Sequence, residues 1–377
     1  MKKKISCKLS ILLVVLILLS LLSGCAGKES ESLRLGLVSP LTGSGAAYGA
    51  TQENAVKLAV NEINSNGGIN GKIIIELISE DDENTPAKSV TVTQKLVNQN
   101  DIHVMIGALA STSTLADMQV TEKAGVPQIA PSSTALSITQ QGNEWIFRNA
   151  ASDILQTSQL FEYAINNFDM KKCAILNEVT DYGNGGMNLL KELANKNNIE
   201  IVAAESYNVG DKDFSVQLTK IKAADPDVIF IWGYYTEGSL IANQAKQVGL
   251  NVQMMGGTGF ASPKFVELGA DNVNGFIFST PFITANEDPI VKKFVDAYRK
   301  AYNSEPDMNA SQAYDAVYIM AEAVKKSESL DRTEIRDALR ETNYQGVSGL
   351  TSFDETGEVI KNILLVEIRD SKYNILK

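Results

Sequence analysis

The chain has 377 residues, and 45 Asp and Glu outweigh 34 Lys and Arg, so its formal net charge is −11 at pH 7. This acidic balance argues against a nucleic acid partner, because nucleic acids attract basic surfaces. With His103 as its one histidine, the chain cannot build a multi-histidine zinc site, and a Ser-His-Asp or Cys-His arrangement would need a histidine elsewhere. Catalysis by carboxylates or lysines alone stays open.

The first 24 residues have the pattern of a lipoprotein signal peptide. Four lysines precede an apolar run over residues 11–22, and Leu-Ser-Gly leads into Cys25. The run is shorter than the roughly 20 residues that span a bilayer, although a retained membrane anchor is the alternative. We expect cleavage before Cys25, lipid on its thiol and a polar tether over residues 25–32. Removing residues 1–24, which contain four lysines and no acids, moves the charge from −11 to −15.

From residue 33 onward, short β-branched runs alternate with amphipathic segments of helical length. Strands are predicted at residues 33–38, 73–77, 104–106, 128–130, 174–176, 199–204, 228–232 and 252–255. Helices are predicted between them at residues 53–64, 86–98, 155–167, 186–196, 214–223 and 238–248. This alternation predicts parallel α/β sheets, and because the pattern of residues 33–131 recurs in 174–256, we expect two similar lobes.

The last hundred residues are predicted to be mostly helical. After a strand at residues 275–279, helices are expected at 289–302, 311–327 and 332–341, followed by a turn flanked by strands up to residue 369. Cys173 lies in an apolar run and is predicted to be a buried strand residue. The length after residue 24 suits two domains of roughly 100 to 200 residues each.

Two loops rich in hydroxyl groups follow neighbouring predicted strands. Residues 110–114 (ASTST) come after the strand that ends near Gly107, and residues 131–134 (PSST) come after the strand that ends at Ala130. In open α/β sheets, ligands bind beyond the carboxyl ends of the strands. Hydroxyl and backbone N–H donors at a helix N-terminus can hold a carboxylate without an arginine. Simple N-capping is the alternative for each loop taken alone.

Tyrosines follow several of the same strand ends. Tyr48 follows the first strand, Tyr182 follows the strand at 174–176, and Tyr234 with Tyr235 follows the strand that ends at Trp232. A tyrosine offers a ring face and a hydroxyl, which suits a cleft that encloses a small ligand, although packing is an equal alternative for any single one.

Two further motifs are weaker. Residues 43–49 (GSGAAYG) depart from the G-x-G-x-x-G spacing of dinucleotide sites, so a glycine-rich entry loop for another ligand is the better interpretation. The acids Asp81, Asp82 and Glu83 are interpreted as a solvated strand end, and we predict no metal and no cofactor.

Several motifs together resemble the branched-chain amino acid binding proteins of ABC importers. They are residues 37–43 (LVSPLTG), 48–49, 64–72 (NSNGGINGK), 81–82, 106–107, 111–114, 131–134, 181–183 (DYG) and 212–214 (KDF). The resemblance covers nearly all of the chain after residue 32. It implies a type I periplasmic-binding-protein fold, in which two α/β lobes, each a parallel sheet flanked by helices, are joined by three hinge crossings and close over a ligand.

The resemblance also implies roles for particular residues. Ser111, the backbone near Ala110 and Thr134 would take the ligand carboxylate, while the Ser132 carbonyl and Thr134 would take the ammonium; Ser133 lies in the same loop. Tyr48, Tyr182 and Tyr234 would line the cleft. The set of expected ligand-binding residues is completed by Glu237, Thr258, Gly259 and Asn309.

Two positions depart from the pattern of amino acid binders. Thr258, beside Gly259, stands where an acid usually pairs with the ammonium, and Asn309 stands where many members have an aromatic residue. Because a buried ammonium without a carboxylate is costly, either Glu237 or another acid supplies the charge, or the ligand is not an α-amino acid.

The resulting hypothesis is a monomeric solute-binding lipoprotein on the outer face of the cell membrane. It captures a small amino acid, branched-chain or otherwise neutral, in the cleft between its lobes by hinge closure, and it docks on an ABC permease. Lobe 1 is expected to contain residues 33–150 and 281–345, and lobe 2 residues 151–280 and 346–377. The alternatives are a different ligand, such as an amide, a urea-like compound or an aromatic carboxylate, an extracellular sensor domain, and a lipid-anchored hydrolase, for which no nucleophile motif is present.

Overall fold

In a computed structural model of the protein, residues 32–376 can be described. The expected signal peptide, Cys25 and almost all of the tether lie outside the described residues. Within residues 32–376, no helix has the length and apolar character needed to cross a membrane.

Strands and helices alternate along most of the described chain. The strands are β1 (Ser32–Ser39), β2 (Ile74–Asp81), β3 (Val104–Ile106), β4 (Gln128–Ala130), β5 (Ile146–Arg148), β6 (Lys172–Glu178), β7 (Glu200–Tyr207), β8 (Val228–Trp232), β9 (Gln253–Gly256), β10 (Ile277–Thr280), β11 (Asn343–Gly346), β12 (Gly349–Phe353), β13 (Val359–Ile360), β14 (Leu364–Arg369) and β15 (Lys372–Ile375). The helices are α1 (Ala46–Ser65), α2 (Pro86–Asn98), α3 (Ser111–Ala124), α4 (Asp153–Phe168), α5 (Asp181–Asn197), α6 (Ser215–Ala224), α7 (Tyr235–Gln247), α8 (Pro263–Gly269), α9 (Pro289–Tyr302), α10 (Met308–Ser327) and α11 (Arg332–Arg340).

The first lobe is built on a five-stranded parallel sheet with the order β2-β1-β3-β4-β5. In β1, Leu33, Leu35 and Leu37 pack into the cluster that contains α1 and α10, while Val38 packs against the cluster that contains α2. Both faces of the sheet are therefore covered by helices, which explains why its strands are apolar on both sides.

The second lobe has a seven-stranded sheet with the order β15-β14-β10-β9-β8-β6-β7. Strands β6 to β10 are parallel, β14 pairs antiparallel with β10, and β15 pairs antiparallel with β14 at the edge of the sheet. Cys173 lies fully buried in β6, as predicted. The parallel sheet of the first lobe and the mostly parallel sheet of the second confirm the α/β fold class expected from the alternation of strands and helices, with an antiparallel edge of β14 and β15 added to the second sheet.

The chain passes between the lobes three times, after β5, after β10, and between β13 and β14. The small antiparallel sheet β11-β12-β13 precedes the third crossing. Its residues Val347, Phe353 and Val359 share the apolar core of the first lobe. Residues 346–360, which we expected in lobe 2, therefore pack on lobe 1, where the Phe353 ring lies 5.3 Å from the ring of Phe147 in β5.

Buried polar groups tie the first and third crossings together. The Arg148 guanidinium donates to the carbonyl of Ala135 at 2.6 Å and forms an ion pair with Glu358. The Lys361 ammonium donates to the Asn149 carbonyl at 3.1 Å and the Asn149 side-chain oxygen at 2.9 Å. These contacts fix the crossing strands in a single arrangement around the cleft.

A candidate solute site between the lobes

The carboxyl ends of the strands in the two sheets face one another, and a small cavity lies between them. Its walls are formed by Tyr48, Leu109, Ser111, Ser132, Thr134, Tyr182, Tyr234, Thr258, Gly259, Met308 and Asn309. Nine of the twelve residues that we predicted for ligand binding are therefore brought together. The cavity volume is about 20 Å³, whereas one water needs roughly 10 to 15 Å³. The lobes are thus closed on each other.

The first lobe supplies the polar end of the cavity. Helix α3 begins at Ser111, and no side chain caps its first turn. The Ser111 hydroxyl accepts the N–H groups of Thr134 at 3.3 Å and Ala135 at 3.2 Å. Because a hydroxyl has two lone pairs and one proton, two accepted bonds leave the proton of Ser111 to donate. A donor at a helix N-terminus is well placed for an anion.

The loop after β4 divides its hydroxyl groups between the cavity and the protein interior. Ser132 lines the cavity, and its hydroxyl oxygen accepts a hydrogen bond from the Gln52 side-chain amide at 3.4 Å. Ser133 turns away, because its hydroxyl lies 2.6 Å from that of Thr114 and donates to the Leu109 carbonyl at 3.0 Å. Ala110 also lies outside the lining, where it serves as the N-cap residue of α3.

The second lobe supplies an aromatic wall. The rings of Tyr182 and Tyr234 lie 5.3 Å apart, and the ring of Tyr48 approaches Tyr235 edge to face at 4.7 Å. The Tyr48 hydroxyl donates to the Gly259 carbonyl at 2.6 Å, so a residue of the first lobe bonds directly to the second. Tyr235 lies behind this wall and does not line the cavity.

A glutamine that we did not predict holds the loop after β9. The side-chain oxygen of Gln156, in α4, accepts the Thr258 N–H at 2.8 Å and the Ser279 hydroxyl at 3.1 Å. At Gly259, a Cβ atom would lie 2.1 Å from the Gly233 carbonyl, so only glycine fits. The loop is thus held firmly against the cavity by contacts that the local sequence does not reveal.

Glu237 does not face the cavity. It is buried, and one of its carboxylate oxygens accepts the Gly210 N–H at 2.9 Å. It lies three residues beyond Tyr234 in the first turn of α7, and this helical offset turns its side chain toward the 210 loop. The expectation that Glu237 reaches a ligand is therefore not met by the geometry.

A different acid, Asp153, lies behind the polar wall. It is fully buried at the start of α4, and its backbone N–H donates to the Thr134 carbonyl at 3.1 Å. Burial raises its pKa to about 7, against the opposing effects of the Thr134 hydroxyl, Arg148 and the Trp232 indole. Neither carboxylate oxygen has a well-formed hydrogen bond within the described residues. Burial raises the pKa of Tyr182 and Tyr234, which line the cavity, and the Asp153 charge adds to this effect.

The acids at the end of β2 have a structural role in the described chain. The Asp81 carboxylate accepts the Leu41 N–H at 2.9 Å, the Thr42 hydroxyl at 2.6 Å and the Glu83 N–H at 2.9 Å. Burial raises the pKa of Asp82 to about 6. These bonds anchor the glycine-rich segment that leads into α1 and Tyr48.

Comparisons with known proteins agree with this architecture. A family model described as periplasmic binding protein matches residues 32–373. The leucine-, isoleucine-, valine-, threonine- and alanine-binding protein of Pseudomonas aeruginosa is 31% identical over 331 residues, which cover 88% of this chain and 88% of that protein. Such relatives are solute-binding proteins.

Solved structures of similar proteins contain different ligands. The branched-chain amino acid transporter substrate binding protein LivJ from Streptococcus pneumoniae, in complex with isoleucine, superposes with a TM-score of 0.85 at 34% identity and covers 92% of this chain and 99% of that chain. A solute binding protein of an ABC transporter from Rhodopseudomonas palustris, in complex with 3,4-dihydroxybenzoic acid, has a TM-score of 0.83 at 25% identity, with coverage of 91% and 95%. The two-lobed architecture, the interlobe cavity and these similarities establish that the chain belongs to the periplasmic binding protein family with the type I fold, among the branched-chain amino acid binding proteins of ABC importers.

Proposed function

We propose that this protein is a lipid-anchored solute-binding protein that captures a small neutral amino acid between its lobes and delivers it to an ABC permease. The observation that carries the proposal is the cavity with hydroxyl groups on one lobe and tyrosines on the other. A ligand that contacts both lobes at once favours the closed form, because those contacts are lost when the lobes separate. The direct bond from Tyr48 to Gly259 supports such a closed state.

The carboxylate of the ligand is assigned to the N-terminus of α3. The Ser111 proton is available, because the oxygen of this hydroxyl already accepts two N–H groups. The first-turn N–H groups of α3 have no side-chain cap and point in the direction in which the helix dipole favours negative charge.

The ammonium of the ligand is assigned to the Thr134 hydroxyl with Asp153 behind it. Among residues 32–376, none of those that line the cavity is acidic. Asp153 is the buried acid that contacts the Thr134 loop through its own N–H, and its carboxylate lacks a well-formed partner within the described residues. An ammonium close by would favour the ionised form and lower the pKa of Asp153 from about 7.

A second candidate function is the binding of an aromatic carboxylate. The Rhodopseudomonas palustris relative was solved with 3,4-dihydroxybenzoic acid, and in this chain Thr258 takes the place of the expected acid. This ligand would use the same carboxylate site and would need no partner for an ammonium.

The two candidate functions can be distinguished by comparing the affinities of two ligands that differ only in the ammonium group. We expect isothermal titration calorimetry to give tighter binding for L-leucine than for 4-methylpentanoate, its analogue without the amino group. The variant Asp153→Asn should weaken L-leucine binding about 10- to 100-fold, because a hydrogen bond to a charged group contributes roughly 1.5 to 3 kcal/mol, and should leave 4-methylpentanoate binding unchanged. Leucine affinity should also fall as the pH drops below 7, since protonated Asp153 cannot pair with the ammonium.

The matched control is Asp117→Asn, which alters a buried carboxylate in α3 that is bonded to Ser89 and Gln128, away from the cavity. It should change stability without changing the preference for leucine over its analogue. If the protein binds 3,4-dihydroxybenzoate and binds no amino acid, the ligand is an aromatic carboxylate and the amino acid proposal is wrong.

The lipid anchor has its own test. We expect Cys25→Ala to move the protein from the membrane fraction to the soluble extracytoplasmic fraction and to remove incorporation of a labelled fatty acid, because the thiol that carries the lipid is gone. Cys173→Ala is the matched control, since that thiol is buried in β6. Continued fatty acid labelling of the Cys25→Ala protein would contradict the assignment.

A further inference from the structure

A second and larger cavity lies on the far side of Met308, close to the second crossing. Its volume is about 650 Å³, within the range of roughly 300 to 1,000 Å³ that is typical of small-molecule sites. We call it the hinge pocket; its apolar walls include Pro263, Val266, Phe278, Phe282, Ile283 and Pro306. These walls come from both lobes, so the pocket is shaped by the same closure that forms the solute cavity.

Met308 separates the two cavities. It lines both of them, and its side chain is only 5% exposed. It is the first residue of α10, where the carboxylate of Asp307 caps the helix by accepting the Ala310 N–H at 2.8 Å. The backbone of Met308 is therefore fixed, while its unbranched side chain has three rotatable bonds and adapts to its surroundings.

The solute cavity has a polar end and an apolar end, and Met308 lies at the apolar end. Its hydroxyl groups, at Ser111 and Thr134, belong to the polar end, whereas Tyr48 and Leu109 share an apolar cluster with Met308. A ligand held by its carboxylate at α3 therefore presents its side chain to the Met308 wall.

We propose that Met308 closes the solute cavity toward the hinge pocket and so sets the upper size limit of the ligand side chain, and that the hinge pocket accepts the aromatic side chain of an α-amino acid when the Met308 side chain is shortened. This inference rests on the proposed function. Tyr373 is a further wall of the hinge pocket, and its buried hydroxyl has no hydrogen-bond partner within the described residues. A tryptophan indole N–H or a tyrosine phenol would supply that partner.

The test measures how the preference for ligands with large side chains changes when the side chain of Met308 is shortened. In Met308→Ala, the affinity for L-tryptophan relative to L-leucine, measured by isothermal titration calorimetry, should rise at least tenfold over that of the native protein. The matched control is Met320→Ala, which removes a fully buried methionine from the same helix but lines neither cavity. It should leave the ratio unchanged.

A second substitution tests where the larger side chain is placed. Ala261 lines the hinge pocket and not the solute cavity. Adding Ala261→Leu to Met308→Ala narrows the hinge pocket and should return the ratio to the native value. If the ratio in Met308→Ala stays at the native value while leucine still binds, or if Ala261→Leu fails to reverse a gain, the inference is overturned.

The same design separates this inference from the proposed function. If the native protein binds 4-methylpentanoate but no amino acid, the proposed ligand is wrong, and the ratio of 3-(indol-3-yl)propanoate to 4-methylpentanoate then tests the partition with the same variants. If the native protein binds neither series, both proposals fail.

Discussion

Replacing Ser111 and Thr134 together by alanine should lower the affinity for L-leucine about 100-fold or more. Each substitution removes a hydroxyl from the polar end of the cavity, and a hydrogen bond to a charged group contributes roughly 1.5 to 3 kcal/mol. The loss of Ser111 also frees the N–H groups of Thr134 and Ala135, which its oxygen now accepts. Isothermal titration calorimetry gives the affinity, and small-angle scattering with saturating ligand reports closure.

The matched control for this variant is Thr112→Ala with Ser137→Ala. These hydroxyls belong to the same stretches of chain but do not line the cavity. The control should bind leucine as the native protein does, and urea denaturation should confirm that both double variants are folded. Native affinity in Ser111→Ala/Thr134→Ala would contradict the placement of the ligand carboxylate at α3.

Replacing Lys361 by methionine should reduce the free energy of unfolding by about 3 to 5 kcal/mol, the range for leaving a buried charge uncompensated. The Lys361 ammonium donates to the Ser348 hydroxyl at 2.8 Å, and that hydroxyl donates to the Asp315 carboxylate, so the two charges are linked through Ser348. Lys361 is 7% exposed and Asp315 is fully buried. The Asp315 carboxylate accepts the Val347 N–H at 2.9 Å and the Ser348 N–H at 2.8 Å, so it cannot move to solvent without breaking its bonds to the turn between β11 and β12. Burial lowers the pKa of Lys361 to about 8, while Asp315 opposes this effect.

Urea denaturation of a double-mutant cycle measures the coupling free energy between Lys361 and Asp315. Asp315→Asn combined with Lys361→Met should recover part of the lost stability, because no charge is then left buried alone. Lys95→Met is the control for an exposed pair, with Glu80, and should cost less than about 1 kcal/mol. A cost below 1 kcal/mol for Lys361→Met would mean that stability does not depend on the charge of Lys361 beside Asp315.

The local sequence identified the hydroxyl loops and tyrosines for a definite reason. In a parallel sheet, the residues just after each strand collect at one edge, so strand order and chain position place Tyr48, Ser111 and Thr134 near each other. Asp153 and Gln156 were missed, because an acid and an amide in the first turns of a helix are typical of ordinary capping. An acid directly after the first crossing is the one signal that could have indicated Asp153.

Neighbouring positions along the chain gave misleading expectations at two places. Glu237 follows Tyr234 closely in sequence, yet the turn of α7 carries its side chain to the 210 loop. The segment after residue 345 was expected to join lobe 2, but Val347 and Phe353 are buried in lobe 1. In both cases, the position of the residue in the structure depends on the burial of a side chain against an element that is distant in the sequence.

The sequence by itself determined the class of fold, the two lobes and the strand ends from which a site is built. These follow from hydrophobic periodicity and from the rule that parallel strands end together, both of which can be evaluated over short stretches of chain. Only the tertiary structure decided which side chains face the cavity, that Tyr48 bonds to Gly259 across the lobes, and that Met308 divides two cavities. Such facts depend on contacts between residues far apart in the chain, and periodicity carries no information about them.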